Sequence, residues 1–215
     1  MAKVRVHNFA ISLDGFGTGE GLSREAPFGH AGERLHDWLV GTQFFHASDG
    51  REGGTVGVDN AFAQQHDPGI GAEIMGAGKF GPPGWQDDPD WKGWWGPNPV
   101  FHQPVFVLTH RPRPSIEMEG GTTYHFVDAS PQEVIEQAKT AANGLDVRVG
   151  GGATIIRDFL AEDLIDYVHV AQVPILLGRG ERLWDGLEGL EDRYDVETVA
   201  SPSSVTHLTF TLKKR

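Results

Sequence analysis

The sequence has no cysteine. That absence excludes disulfides, thiolate metal sites and a cysteine nucleophile together. No apolar run approaches the ~20 residues of a membrane-spanning helix. The first residues, MAKVRV, enter a strand-like pattern directly, with no apolar leader. The expectation is a soluble, cytoplasmic protein. Positive charge is scarce: 18 Lys and Arg stand against 30 Asp and Glu, a formal net charge of −12. A surface that acidic argues against nucleic acid and anionic membranes as partners, because both need a basic footprint. A local basic pocket for a phosphate ligand stays permitted. Glycine is in surplus, 29 of 215 residues, against the ~7 % typical of proteins, and much of it falls between elements. With 39 % apolar and 22 % charged residues, the chain can bury a sizeable core.

The spacing of apolar residues predicts the elements. Residues 3–13, KVRVHNFAISL, read as a strand that Asp14-Gly15 breaks. Leu35, Trp38, Leu39 and Phe45 predict a helix over 32–45, followed by a polar, Gly-rich surface excursion over 46–57 and a short helix over 58–67. Residues 72–76 form a short buried strand. Residues 81–104 carry six Pro and four Trp and read as a long irregular loop. The apolar run 104–109 predicts a strand buried on both faces, and 123–127 a weaker one. Ser130, Pro131 and Glu133 set a capping box for a helix over 131–143. A strand at 146–149 runs into Gly150-Gly151-Gly152 and then a helix with Ile155, Ile156, Phe159 and Leu160 on its apolar face. Strands at 164–173 and around Leu208, Phe210 and Leu212 complete the list, the last pairing with 193–200. This order of β-α-β units with an antiparallel finish predicts an α/β fold, a mostly parallel sheet with helices on both faces.

Three segments could hold an anion. In DVRVGGGATIIRDFL, three glycines between a strand and a helix expose main-chain N–H groups where the helix start adds partial positive charge. A tight turn needing glycine only for packing explains the same residues. Met75-Gly76-Ala77-Gly78-Lys79 repeats the strand-to-glycine pattern, and an ordinary turn would also produce it. Thr109-His110-Arg111-Pro112-Arg113 puts a hydroxyl, an imidazole and two guanidiniums at the carboxyl end of a buried strand, where open α/β sheets bind ligands; solvated loop charges are the alternative. Asp14 closes the first strand and could anchor a substrate or move a proton, or simply hold an Asx turn. The ten histidines lack the spacing of a metal site, and no G-x-S-x-G elbow is present. The tryptophans at 85–95 suit a loop pinned by packing or a flap over a planar ligand.

Taken in order, Ile11-Ser12-Leu13-Asp14-Gly15, Glu73-Ile74-Met75-Gly76, Val105–His110, Val149-Gly150-Gly151-Gly152-Ala153, Leu164-Ile165-Asp166-Tyr167 and Pro174–Trp184 resemble the dihydrofolate-reductase-like superfamily. Within it they are most similar to the reductase domain of riboflavin biosynthesis, the C-terminal part of a bifunctional deaminase-reductase. The resemblance covers 1–215 as one domain, with 46–57 and 81–104 as insertions. It implies a central mixed sheet flanked by helices, a homodimer, and NADPH as hydride donor to a carbonyl or C=N carbon of a heterocyclic or sugar-linked substrate, as in 5-amino-6-(5-phosphoribosylamino)uracil reductase. It further implies that Gly150, Gly151, Gly152, Ala153 and Thr154 cradle the cofactor phosphates and that Gly76, Ala77 and Gly78 make a second phosphate contact. Thr109, His110 and Arg111 would lie near the 2′-phosphate. Leu176, Leu177, Gly178 and Gly180 would line the nicotinamide side, and Asp14 would face the substrate. Relatives commonly carry Arg where this chain has Ala77, and with no Cys to supply zinc ligands no deaminase half is expected within these residues. The rival expectation is a non-catalytic nucleotide- or flavin-binding protein that keeps the fold.

Overall fold

A computed structural model describes residues 2–214. Eleven strands are present among them: β1 (Val4–Ser12), β2 (Phe16–Gly19), β3 (Ile70–Gly76), β4 (Pro104–Leu108), β5 (Ile116–Glu117), β6 (Thr123–Val127), β7 (Asp146–Gly151), β8 (Tyr167–Val173), β9 (Gly180–Arg182), β10 (Tyr194–Ala200) and β11 (Thr206–Leu212). Nine form one sheet in the order β10-β11-β8-β1-β7-β3-β4-β6-β5, and β2 pairs with β9 in a separate two-stranded ribbon. The central strands from β8 to β6 run parallel. The edges β5, β10 and β11 are antiparallel. The fold is therefore the mixed, mostly parallel α/β sheet that the sequence pattern predicts.

The helices are α1 (Asp37–Val40), α2 (Gln43–Ser48), α3 (Val58–Ala63), α4 (Ala77–Phe80), α5 (Pro131–Ala141), α6 (Ala153–Ala161) and α7 (Leu190–Arg193). Parallel crossovers are right-handed, so the direction of travel along the sheet decides the face. The β6-α5-β7 and β7-α6-β8 units move one way and put α5 and α6 on one face. The β1-to-β3 and β3-to-β4 connections move the other way and cover the opposite face. Alternation along the strands agrees. Ala72, Ile74 and Phe106 pack with Val134, Ile135 and Ile156 on the α5/α6 side, while Met75, Val105 and Val107 pack with Phe80, Trp85 and Phe101 on the other. The capping box at Ser130 and Glu133 starts α5 as predicted. No helix among the described residues is long and apolar enough to cross a membrane.

Two segments differ from the pattern-based reading. The helix expected over 32–45 is three pieces: a 3-10 turn at Gly32–His36, then α1, then α2. Thr42 is the reason. Its hydroxyl donates to Leu39 O at 2.6 Å and accepts from Phe45 N at 3.2 Å, so it caps a new helix instead of continuing the old one. The excursion expected over 46–57 begins inside α2 and returns to pair Thr55 with Thr42. In the 81–104 loop, Trp85 is buried against Phe80 and Phe126, and the Trp91 indole N–H donates to Phe80 O at 3.2 Å. Packing pins this loop, yet Trp85, Trp94 and Trp95 also line the cleft described next.

Candidate active site

The carboxyl ends of β3, β4, β6 and β7 open onto one cleft of about 1360 Å³. That is more than the ~300–1,000 Å³ of an ordinary single-ligand pocket, so it has room for two guests. All three anion-suited segments meet there: Gly76, Ala77 and Gly78 after β3, Thr109, His110 and Arg111 after β4, and Gly150 to Thr154 at the turn from β7 into α6.

The glycines serve different purposes. A side chain at Gly150 would collide with Lys79 Nζ and Glu73 Oε1, so that position is bare to admit an ion pair. Gly151 has φ +113 and faces the Phe9 ring, where a Cβ would stand 3.2 Å away. A Cβ at Gly76 would meet Ile155 Cδ1 at 2.8 Å, so this glycine lets α6 pack against the end of β3. Gly78 and Gly152, by contrast, have nothing within 4 Å of an added Cβ. Their bareness leaves main chain open to the cleft. Gly152 is also the N-cap of α6, and no side chain caps that helix. Its first amides therefore lack a protein side-chain partner at the place where an anion is best stabilised.

At the rim, His110 is 98 % exposed and pairs with Asp128 at 3.0 Å, while Arg111 pairs with Asp87. Farther in, the lining becomes polar and histidine-rich: His7, Asn8, His36, His66 and Lys79. His7 is 7 % exposed, and neither ring nitrogen has a partner. Burial, reinforced by Arg5, His66 and Arg148, pushes its pKa down to about 3, so the ring is neutral. Asn8 sits at a bulge of β1 with φ 56. A buried chain holds it from behind. Asn8 N donates to His169 Nδ1 at 3.1 Å, His169 Nε2 meets His207 Nδ1 at 2.9 Å, and His207 Nε2 meets Asp59 Oδ1 at 2.8 Å. Phe62 stacks on both imidazoles.

Beneath Lys79 lies an ion cluster. Glu73 is fully buried and Arg148 nearly so. Arg148 Nε donates to Glu73 Oε2 at 2.8 Å, and its Nη2 approaches the same oxygen. Lys79 Nζ donates to Glu73 Oε1 and to Gly150 O, each at 2.9 Å. Burial works to raise the Glu73 pKa, but Arg148 and Lys79 outweigh it and hold the carboxyl below its usual range.

Asp14, Leu176 and Gly178 lie elsewhere. The Asp14 carboxylate accepts from Leu177 N at 3.1 Å, Gly178 N at 2.7 Å and Ser12 Oγ at 2.6 Å. Slight burial raises its pKa, and these hydrogen bonds overcome that and bring it to about 2. Asp14 lines a smaller depression with Gln172, Arg182 and Trp184, and Leu176 is 68 % exposed. None of the three lines the main cleft. No local sequence pattern marks His7, Asn8 or the Glu73–Arg148 pair as part of a site. The pair did leave a trace: opposite charges sit mid-strand in Ala72-Glu73-Ile74 and Val147-Arg148-Val149, and lone charges in buried strands must find each other. Among the described residues no group of three or more His, Asp or Glu could hold a metal ion.

A family model described as the RibD C-terminal domain matches residues 3–206. The chain belongs to that family. Among solved structures, it resembles a protein from Shewanella sp. PV-4 named for riboflavin biosynthesis, with a TM-score of 0.59 and 22 % identity over 100 % of both chains. It also resembles a diaminohydroxyphosphoribosylaminopyrimidine deaminase/5-amino-6-(5-phosphoribosylamino)uracil reductase from Thermotoga maritima, with a TM-score of 0.50 and 14 % identity. That match covers 99 % of this chain and 57 % of the other. At these identities the two structures establish the shared fold. No curated protein sequence matches the chain. As a RibD C-terminal domain, the chain falls in a family of riboflavin-pathway reductases.

Proposed function

We propose that the protein is an NADPH-dependent reductase acting on a C=O or C=N carbon of a small heterocyclic or sugar-linked substrate. The observation that carries this reading is the cleft itself. Open main chain at Gly78 and Gly152, with the uncapped start of α6, suits a dinucleotide's pyrophosphate. The histidine-rich end leaves polar groups without protein partners for a second molecule. When bound, NADPH supplies the hydride. The chain's own residues then do the rest. Gly76 to Gly78 and Gly152 to Thr154 hold the phosphates, and Arg111 and His110 stand at the rim for the 2′-phosphate. Phe9 sets the floor under Gly151, and His7 and Asn8 offer hydrogen bonds to the acceptor. Asp14 fastens the 176–178 segment to the end of β1, outside the cleft, and its part is structural. Holding donor and acceptor in one cleft is the main catalytic contribution expected.

Thermal melts with NADPH, NADH and FMN test this reading, followed by NADPH oxidation with 5-amino-6-(5-phosphoribosylamino)uracil, the substrate named for the Thermotoga protein. Stabilisation by NADPH and turnover of that compound or a related heterocycle are expected. Stabilisation by FMN alone would favour the non-catalytic flavin-binding reading, under which the same cleft holds a flavin phosphate.

Gly152→Asp sharpens the test, because it separates folding from binding. The residue has φ −72, open space for a side chain and the N-cap position of α6. An N-cap Asp differs from Gly by only a few tenths of a kcal/mol, in the stabilising direction. Stability should therefore hold or rise slightly. The same carboxylate would occupy the anion's place and repel it, so NADPH affinity measured by fluorescence titration should fall at least about tenfold, the equivalent of ~1.4 kcal/mol.

A further inference from the structure

We propose that Lys79 is the proton donor that completes the reduction, an inference that rests on the reductase reading of the cleft. Lys79 Nζ stands where the glycine turns meet the histidine-rich end. It bonds Gly150 O on one side and shares an electrostatic cluster with His36 on the other. An ammonium has three N–H bonds. Two go to Glu73 Oε1 and Gly150 O, and the third has no protein acceptor in the hydrogen bonds of Lys79. The side chain is 29 % exposed and lines the cleft.

The cluster makes the proton dispensable. With Glu73 ionised, and with Asp67 ionised and 3.2 Å from Arg148 Nη1, Arg148 and Lys79 bring the group to neutrality. Loss of the Lys79 proton leaves the buried Glu73–Arg148 pair balanced and the surplus negative charge on Asp67, whose side chain is 66 % exposed, so no uncompensated buried charge is created. Burial, helped by Arg148 and opposed by Glu73, holds the Lys79 pKa below the usual lysine value. The groups facing it are Glu73 from β3, Arg148 from β7 and His36 from the 32–36 turn, with His66 and Asp67 on the far side of Arg148. Its neighbours cannot take the role. Glu73 is ionised and fully buried, and His7, His36 and His66 are all shifted toward the neutral form. The step balances. Hydride from NADPH forms a C–H bond at the acceptor carbon, and the C=X π pair moves to X. The Nζ–H bond breaks as X–H forms, leaving a neutral amine that regains its proton from water.

The alternative role for Lys79 is a point charge on the cofactor phosphates, and the tests separate the two. Competitive acetic-anhydride labelling of the whole ligand-free chain, read by peptide mass spectrometry across pH, should give Lys79 a titration midpoint below the ordinary lysine value of ~10.4. Lys79→Met should bind NADPH within about threefold of wild type. Its kcat with 5-amino-6-(5-phosphoribosylamino)uracil should fall at least about a hundredfold, and the alkaline limb of the pH profile should vanish. Lys79→Arg keeps the charge but not the transferable proton, and should be equally slow. An ordinary labelling midpoint, full activity of Lys79→Arg, or a Lys79→Met variant with weak NADPH binding and intact kcat would each overturn the proposal. Wild-type protein that binds no NADPH would instead remove the reductase reading, and this proposal with it.

Discussion

Glu73→Gln is expected to cost about 3–5 kcal/mol of folding stability, the usual penalty for stranding one member of a buried ion pair. Arg148 keeps only 4 % of its side chain exposed, and Glu73 has none. A neutral amide would leave Arg148 facing Lys79 with only the largely exposed Asp67 as counter-charge. For a domain of this size the loss corresponds to roughly 6–20 °C in melting temperature, readable by calorimetry. The control is Glu73→Gln combined with Arg148→Met, which removes both charges and should recover much of the loss. A single variant as stable as wild type would show that the cluster is solvated, contrary to the burial described here.

The second large effect is acid sensitivity well above the carboxylate range. His7 and His169 are buried, with pKa values near 3 and 2 through desolvation first and neighbouring positive or partly positive groups second. In the unfolded chain both titrate near ~6.5. Below that pH the unfolded state takes up protons that the folded state refuses, so stability falls as pH falls. The stabilisation is complete above about pH 6.5 and is lost progressively on the way down toward the folded values. At about pH 5 each histidine contributes a loss on the order of 2 kcal/mol. The downward shifts of His36, His66 and His207 act in the same sense. Asp14 and Asp67, each at about 2, add their share only in stronger acid. Urea unfolding at several pH values should show the slope, and His7→Asn should reduce it by one proton. A flat profile between about pH 7 and 5 would refute it.

The parallel sheet was legible because glycines end its strands β3 and β7 and a capping box starts α5. The Ser130 box and the run into Gly150 both fall where the residues place them. The phosphate end of the cleft was legible for the same reason, since anion binding by main chain needs local sequence alone. The polar end was not. His7 and Asn8 come from β1, Lys79 from the turn after β3 and Arg148 from β7, and only the sheet order brings these strands together. The break at Thr42 was hidden because Leu35, Trp38 and Leu39 keep helical spacing up to it, and the hydroxyl's choice between capping and solvent depends on tertiary contacts. Asp14 drew attention as an acid at a strand end. Its partners, Leu177 N and Gly178 N, lie more than 160 positions away, beyond any local pattern.

The hydrogen-bonded path from Asp59 through His207 and His169 to Asn8 gives the last strand an unexpected reach. No described residue after Glu181 lines the cleft, yet His207 on β11 buttresses the bulge at its floor. A carboxy-terminal deletion or a fusion that peels β11 away would deform the ligand chamber from a distance, so engineered versions of this chain should carry their tags at the other terminus.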